Sequence, residues 1–334
     1  MSTIGRSLPR IDARDKVTGA ALYSGDLVRP DMLHMKILFA GRPHARVVFV
    51  DTSAAEAVPG VVGIYTARDV PVNEYGLQKK DQPVLCGPSS LPLQGDDPEV
   101  RVPGDIVRFE GDQVAAIVAE TEAVAAKARD LIKVGFEDLS AVFDAVEAMK
   151  PGAPRIHPEF ADTNICVLDR IRKGDVESAF TRADVIVAAE YHTPCQEHAY
   201  LQPEAGLAYL DEEGRITVEC AGQWTHADRS GIAHALGLAD EQVRVIYPAI
   251  GGAFGGREDL SVQIVLALAT MKLKRPVKIV WSRKESILGH GKRHPMTIRT
   301  KWAATRDAKL LAAETTVIAD AGAYMYTTNK VLGN

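Results

Sequence analysis

Two periods of hydrophobic residues divide the chain into strands and helices. Segments 35–39, 45–50 and 61–65 are dense in β-branched and aromatic residues, and each predicts a strand. Between the last two, 53–57 suits a short helix that stops at Pro59-Gly60. The run QVAAIVA at 113–119 predicts a buried strand. Thr121 is a suitable N-cap for a helix over 121–133, with Val124, Ala128 and Leu131 on one face. A closing strand follows at 134–139. Residues 1–20 show no hydrophobic period and read as an extended arm on which Lys16 is a solvated charge. Residues 76–104, with Pro83, Pro92, Pro98 and Pro103, read as a long irregular excursion.

The second half begins after a Pro- and Gly-rich linker at 150–154. Strands are predicted at 185–191, 205–210 and 216–220, the last two joined by a hairpin turn at 211–214. A helix over 225–238 places Ile232 and Leu236 on one face. The strand at 244–247 leads into GGAFGG at 251–256, followed by a predicted helix over 258–273 with Leu260, Ile264 and Leu268 spaced by four. Lys272, Lys274 and Arg275 suit the negative end of that helix, and Pro276 stops it. Further strands are predicted at 277–281 and 309–319. Residues 320–326 lead out of the last strand with no closing element, so another element is expected to complete the unit. The fold class expected is α+β, with one domain over 1–145 and an α/β domain, incomplete at its C-terminus, over 146–334.

Composition narrows the function classes without choosing among them. The chain has 334 residues, 46% hydrophobic and 25% charged, as in ordinary globular proteins. A net charge of −5 gives no electrostatic footprint for nucleic acid or an anionic membrane. No apolar stretch approaches the ~20 residues of a membrane span, and residues 1–6 lack a signal-peptide core, so a cytoplasmic chain is expected. Cys86, Cys166, Cys195 and Cys220 form no C-x-x-C pair. This excludes a local iron–sulfur or zinc motif, and the cysteines read as buried small hydrophobes.

The glycine-rich loop is where chemistry concentrates. Glycines let a backbone approach a ligand closely, and a following helix offers free amides to an anion. The glycines at 251, 252, 255 and 256 do not fit G-x-G-x-x-G. Gly251 and Gly256 have P-loop separation, but Arg257-Glu258 stands where Lys-Ser/Thr is required. Both nucleotide readings therefore fail on side chains, which removes a nucleotide-dependent dehydrogenase. The loop is either a tight strand-to-helix connection or a cradle for another anionic cofactor. Glu258 and Asp259 are either first-turn acids that offset the helix dipole or, for Glu258, a carboxylate at the mouth of that cradle. The histidines lack the spacing of a zinc site. His198 and His294 read as hydrogen-bonded structural residues, Tyr200 and Trp224 as core aromatics, and Asp26 and Arg46 as fold residues.

GGAFGGRE at 251–258 resembles the molybdopterin loop of the xanthine dehydrogenase and aldehyde oxidase family of molybdenum hydroxylases. Other segments agree in the family's order. KVTGAALYSGD at 16–26, PHARV at 43–47 and VPGVV at 58–62 resemble its N-terminal hammerhead domain. QEHAYLQP at 196–203, AGQ at 221–223, WSRKE at 281–285, GKRHP at 291–295 and DAGAY at 320–324 resemble its molybdopterin-binding part. Ala253 stands where a third glycine is common, and Arg257 where lysine is.

The resemblance implies an enzyme that oxidises a substrate carbon with oxygen from water at a molybdenum–molybdopterin cofactor. It implies that Gln223 reaches an oxo ligand of the metal and that Gly252, Ala253, Phe254 and Gly255 bind the cofactor. The backbone amides of Phe254 and Gly255 would touch the metal's ligand shell, and Glu258 would hold the substrate. An N-heterocycle is favoured, because Glu258 suits a ring on which charge develops; aldehyde, aryl-CoA or carbon monoxide oxidation and a non-catalytic scaffold are the alternatives. The family's molybdenum-binding polypeptide is more than twice this length, and its second half supplies most pterin contacts and the general base. The expected partners are therefore a second molybdenum-subunit half and chains or domains carrying 2Fe-2S clusters and FAD, in a hetero-oligomer; the isolated chain is expected to be inactive.

Overall fold

In the computed structural model, which describes residues 4–88 and 103–333, both halves of the chain contribute to one sheet. The strands of the first half are β1 (Leu33–Phe39), β2 (Ala45–Asp51), β3 (Val61–Tyr65), β4 (Ile106–Val107), β5 (Gln113–Ala119) and β6 (Lys133–Asp138). Those of the second are β7 (Val185–Thr193), β8 (Ala205–Leu210), β9 (Ile216–Cys220), β10 (Val243–Ile246), β11 (Val277–Val280), β12 (Met296–Ala304) and β13 (Leu310–Ala319). A seven-stranded mixed sheet has the order β10-β9-β8-β11-β1-β5-β3. The join between halves is the parallel pair β1/β11, with Leu33 opposite Val277. Two three-stranded antiparallel sheets, β4-β2-β6 and β13-β12-β7, flank it.

The helices are α1 (Ala13–Thr18), α2 (Ser53–Glu56), α3 (Glu122–Arg129), α4 (Ala145–Ala148), α5 (Val176–Thr181), α6 (Thr225–Leu236), α7 (Gln263–Leu273), α8 (Arg283–Gly289) and α9 (Thr328–Gly333). The large sheet is buried on both faces, which explains why β5 is an unbroken apolar run rather than an alternating one. Ala115, Ile117 and Ala119 pack with Ala125 and Ala128 of α3, whereas Ala116 and Val118 join the core that holds α6 and α7. Eight of the eleven residues of α7 are buried, so this helix is apolar all round and fills the second layer.

The expected strands are all present, but several boundaries and assignments change. The arm is not wholly extended: α1 forms there without burying any residue and ends at Gly19, in a left-handed conformation. Thr121 does cap α3, accepting from the Val124 amide, yet the helix stops at Arg129 and Leu131 is 39% exposed. Helix α7 begins five residues later than the spacing of Leu260, Ile264 and Leu268 suggests; Leu260 is buried from a loop. Strand β12 and helices α5 and α8 were not anticipated. Cys86 and Cys220 are buried, but Cys166 and Cys195 are exposed, so only half of the cysteines act as core residues. Of the irregular excursion, residues 89–102 lie outside those described, while Val84, Leu85 and Cys86 enter the core.

The segment after β13 folds back onto the first half. The Tyr324 hydroxyl donates to the Asp112 carboxylate at 2.9 Å, and the Met325 amide donates to Asp81 at 2.7 Å. Burial is the main reason that the Asp112 carboxyl is pushed up to about 6. Among the described residues, no helix is long and apolar enough to cross a membrane.

Candidate functional site

Strands β9 and β10 run parallel and adjacent, with Glu219 opposite Ile246, so their carboxyl ends open on one edge. Residues 221–223 leave the end of β9, and the glycine loop follows the end of β10. The crevice outside the carboxyl ends of parallel strands is a favoured ligand position in α/β sheets. Gly222 packs so closely on Tyr247 that a Cβ there would lie 2.5 Å from the ring. This contact fixes where the chain turns from β9 into Gln223, which is exposed and makes no hydrogen bond or ion pair among the described residues.

The loop is held from beneath by side chains distant in sequence. Arg257, only 4% exposed, places its guanidinium 3.8 Å above the Tyr200 ring and pairs with Glu204 at 3.1 Å. It also donates to the Gln202 carbonyl, and more weakly to the Gly252 carbonyl at 3.5 Å. The Tyr200 hydroxyl donates to Glu204, and the Gln202 side chain accepts from the Gly251 amide at 2.7 Å. Burial alone would raise the Glu204 carboxyl, but His290, the Tyr200 hydroxyl and Arg257 hold it below its ordinary value. A Cβ on Gly256 would come within 2.7 Å of Tyr200 and 2.8 Å of His198, so the backbone rests directly on those rings.

The upper side of the loop is different. Three of its residues have positive φ: Gly252 at 104°, Phe254 at 52° and Gly255 at 85°. The amides of Gly252, Ala253, Phe254 and Gly255 donate to no protein acceptor among the described residues, whereas those of Gly251 and Gly256 are both engaged. Successive free amides in a turn form an anion-binding concavity. Phe254, 72% exposed, is a non-glycine residue held in the left-handed region at the tip of this run.

The expected site residues thus fall into two groups. Gly252, Ala253, Phe254 and Gly255 form one contiguous set of free donors. Gln223 lies on the same sheet edge, and Glu258 follows the loop. Glu258 is half-buried and also lacks a hydrogen-bond or ion-pair partner among the described residues. Neither Glu258 nor Asp259 lies in the first turn of a helix, because α7 starts at Gln263. The loop, not a helix end, therefore supplies the amides, and helix-dipole compensation is removed as a reason for these acids. Asp259 is pushed up to about 7, first by burial and then by the Glu258 charge beside it. Asp228 is pushed up to about 6 by burial, and accepts from the Tyr247 hydroxyl at 2.7 Å.

Sequence reasoning missed Gln202, Glu204 and Asp228. A charged residue directly before the apolar strand at 205–210 was the available sign for Glu204. His198 is not hydrogen-bonded as expected: it stacks on Tyr200, and its Nδ1 is buried with no partner. His294 does bond, to Thr328 Oγ1 at 2.9 Å. Tyr200 is fully buried, but Trp224 is only half-buried, beneath the Lys330 ammonium at 3.5 Å. A cleft of about 340 Å³ lies between residues 142–168 and 316–325, and no residue of the loop lines it. Volume would favour that cleft, but the free donors mark the loop.

Residues 18–140 match the a/b hammerhead domain of aldehyde oxidase and xanthine dehydrogenase, and residues 156–334 match the molybdopterin cofactor-binding domain. The chain belongs to this family of molybdenum hydroxylases. It is 37% identical to the nicotinate dehydrogenase large molybdopterin subunit of Eubacterium barkeri, over 96% of its own length and 71% of that protein. It is 38% identical to a probable xanthine dehydrogenase polypeptide of Bacillus subtilis, over 94% of its length but 40% of that protein. Aldehyde oxidoreductase from Desulfovibrio gigas superposes with a TM-score of 0.82 at 28% identity, covering 93% of this chain and 34% of that one. The chain therefore spans between about a third and 71% of these three proteins.

Proposed function

We propose that this chain is the part of a molybdenum hydroxylase that grips the metal end of the molybdopterin cofactor and presents one substrate-binding carboxylate. The observation that carries this reading is the run of four free amides at 252–255, with unpartnered Gln223 beyond the end of the adjacent strand β9 and unpartnered Glu258 just after the loop. The residues suit the group: a cradle of neutral donors matches an anionic, acceptor-rich cofactor, and the glycines at 251, 252 and 256 let the loop rest on Gln202, Tyr200 and His198, where a Cβ would collide and shift the donors. When bound, the cofactor supplies two-electron oxidation of a substrate carbon with oxygen taken from water.

The chain's own residues bind and orient. The Gln223 amide offers a neutral hydrogen-bonding group beside the cofactor's metal end. The amides of Phe254 and Gly255 offer fixed dipoles that need no reorganisation as charge develops. Glu258 anchors the substrate at a ring nitrogen or carbonyl, and the Arg257–Tyr200–Glu204 stack keeps the loop from shifting. Relatives named for nicotinate, xanthine and nicotine share 29–38% identity over nearly the whole of this chain. That supports an N-heteroaromatic substrate. 2Fe-2S clusters and FAD belong to partner chains or domains, and further polypeptide completes the pterin site and provides the general base. By itself the chain is inactive.

Metal analysis of the protein purified untagged from its native cells tests this reading. Molybdenum and iron should arrive with further polypeptide, and reduction of the centres should follow addition of nicotinate or hypoxanthine rather than benzaldehyde. In that holoenzyme Glu258→Gln should lower kcat/KM about a hundredfold or more, as for other preorganised charge-stabilising groups. Unchanged substrate kinetics would remove Glu258 from the site, and absence of molybdenum from the native protein would overturn the whole reading.

A further inference from the structure

In the segment QEHAYLQP at 196–203, His198 has no part in the support of the loop described above. Tyr200 lies beneath Arg257, and Gln202 accepts from the Gly251 amide. The His198 ring makes no hydrogen bond or ion pair among the described residues. Its place is nevertheless fixed. The ring stacks on Tyr200 at 22° and meets the ring of His290 edge-on at 88°. Gly256 rests on its Cγ–Nδ1 edge so closely that a Cβ there would lie 2.8 Å and 2.9 Å from those two atoms. The chain on either side is pinned as well. The Arg293 amide donates to the Gln196 carbonyl at 3.0 Å, and Glu197 pairs with Lys292 at 2.9 Å.

Ala199, directly after this histidine, sits at φ 49°. A non-glycine residue in the left-handed region is uncommon, and such strain persists where the surroundings over-determine it, often at ligand sites. Here the turn at Ala199 brings the rings of His198 and Tyr200 into one stack under the loop. The two ring nitrogens of His198 then face different surroundings. Nδ1 is buried with no partner. Nε2 borders open space: it lies 3.9 Å from where a Gly255 Cβ would stand, and no other described atom outside residues 254–256 comes within 4 Å of that point. Burial holds the ring below its ordinary pKa, so it carries a single proton at neutrality. Orphaned buried N–H groups are rarer than under-satisfied acceptors, which puts that proton on Nε2. An N–H therefore opens beside Gly255, whose own amide is free.

We propose that His198 is a cofactor-binding residue: its Nε2–H adds a side-chain donor to the row of free amides at 252–255 and serves an anionic oxygen or sulfur acceptor of the molybdenum cofactor. This rests on the reading that those amides hold that cofactor. No proton or electron moves in this role. The stack on Tyr200 and the turn at Ala199 do for the imidazole what Arg257 does for the amides: they set its direction before the cofactor arrives, so little ordering is lost on binding. A hydrogen bond to an ionised acceptor is roughly twice as strong as one between neutral groups. Its loss should be felt in how firmly the cofactor is retained.

The test uses the untagged holoenzyme grown with isotope-labelled histidine, its molybdenum reduced to the paramagnetic state. Pulsed electron paramagnetic resonance should show weak hyperfine coupling to a labelled ring nitrogen. That coupling should vanish in His198→Phe, which keeps a stacked ring and removes the donor. Release of molybdenum during mild heating should become about tenfold faster in the same variant. His198→Gln, which can present an N–H near the place of Nε2, should restore most of the retention without the coupling. A molybdenum-loaded His198→Phe enzyme with unchanged release, or with the coupling intact, would overturn the role while leaving the proposed function standing. Failure of both variants to load would assign His198 to packing under the loop and would overturn the role as well. A natural enzyme without molybdenum would instead overturn the proposed function, and the role with it.

Discussion

Replacing Arg257 with leucine isolates the interaction that fixes the loop. The guanidinium and the Glu204 carboxylate have side-chain exposures of 3% and 0%, so solvent screening is minimal. Leucine keeps much of the packing against Tyr200 but leaves Glu204 buried without its counter-charge. Breaking a buried pair from one side costs about 3–5 kcal/mol, mostly the penalty of the orphaned charge. At roughly 2–4 °C per kcal/mol for a domain of a few hundred residues, the melting temperature should fall by roughly 6–20 °C. Urea denaturation followed by far-ultraviolet circular dichroism reads the same loss as a lower midpoint at unchanged slope. Glu204 carries the sign of the pH dependence. Its folded value is depressed, so its contribution is present above the unfolded value and is lost as pH falls through the folded one. The Arg257→Leu penalty should accordingly be largest near neutrality and shrink in acid, where the orphaned carboxylate takes up a proton. Adding Glu204→Gln to Arg257→Leu should recover part of the loss, a coupling of about 1–3 kcal/mol. A single-variant loss under about 1 kcal/mol, or strict additivity of the pair, would show that the stack does not hold the loop.

Gly256→Ala tests the close approach on the other side of the same stack. The added methyl would lie 2.7 Å from Tyr200 and 2.8 Å from His198, so overpacking should destabilise by about 1–3 kcal/mol in a denaturation series; an unchanged midpoint would mean that the rings give way freely. Asp228 gives a pH prediction of opposite sign to Glu204. Its folded value is raised from 3.8 to about 6, so it favours the folded state most below the unfolded value and loses that contribution as pH rises through 6. Relative to Asp228→Asn, the natural chain should therefore lose stability between pH 4 and 7, and parallel pH profiles would show that Asp228 ionises as freely in the folded chain as in the unfolded one.

Where the chain could be read from its sequence, local pattern and burial agree. QVAAIVA is legible as a buried strand because both faces of β5 meet apolar layers, and Thr121 as a cap because its oxygen serves an amide three residues on. The boundary of α7 misleads for a physical reason: Leu260 is buried like Ile264 and Leu268, so burial mimics helical period before the helix begins. Strand β12 carried a readable alternation of Met296, Ile298, Thr300 and Trp302, masked by the basic residues between them. The β1/β11 pairing, across more than 240 residues, has no local signature at all. The site divides the same way. The loop was visible because four glycines fall within six residues, whereas the Tyr200, Gln202 and Glu204 supports become partners of Arg257 only once β8 lies beside α7. The consequence concerns Arg257 itself, which the resemblance places where lysine is common. A lysine would keep the charge but lose the fork that reaches Glu204, the Gln202 carbonyl and the Gly252 carbonyl together. The conformation of the amide cradle is therefore set from below by one planar cation.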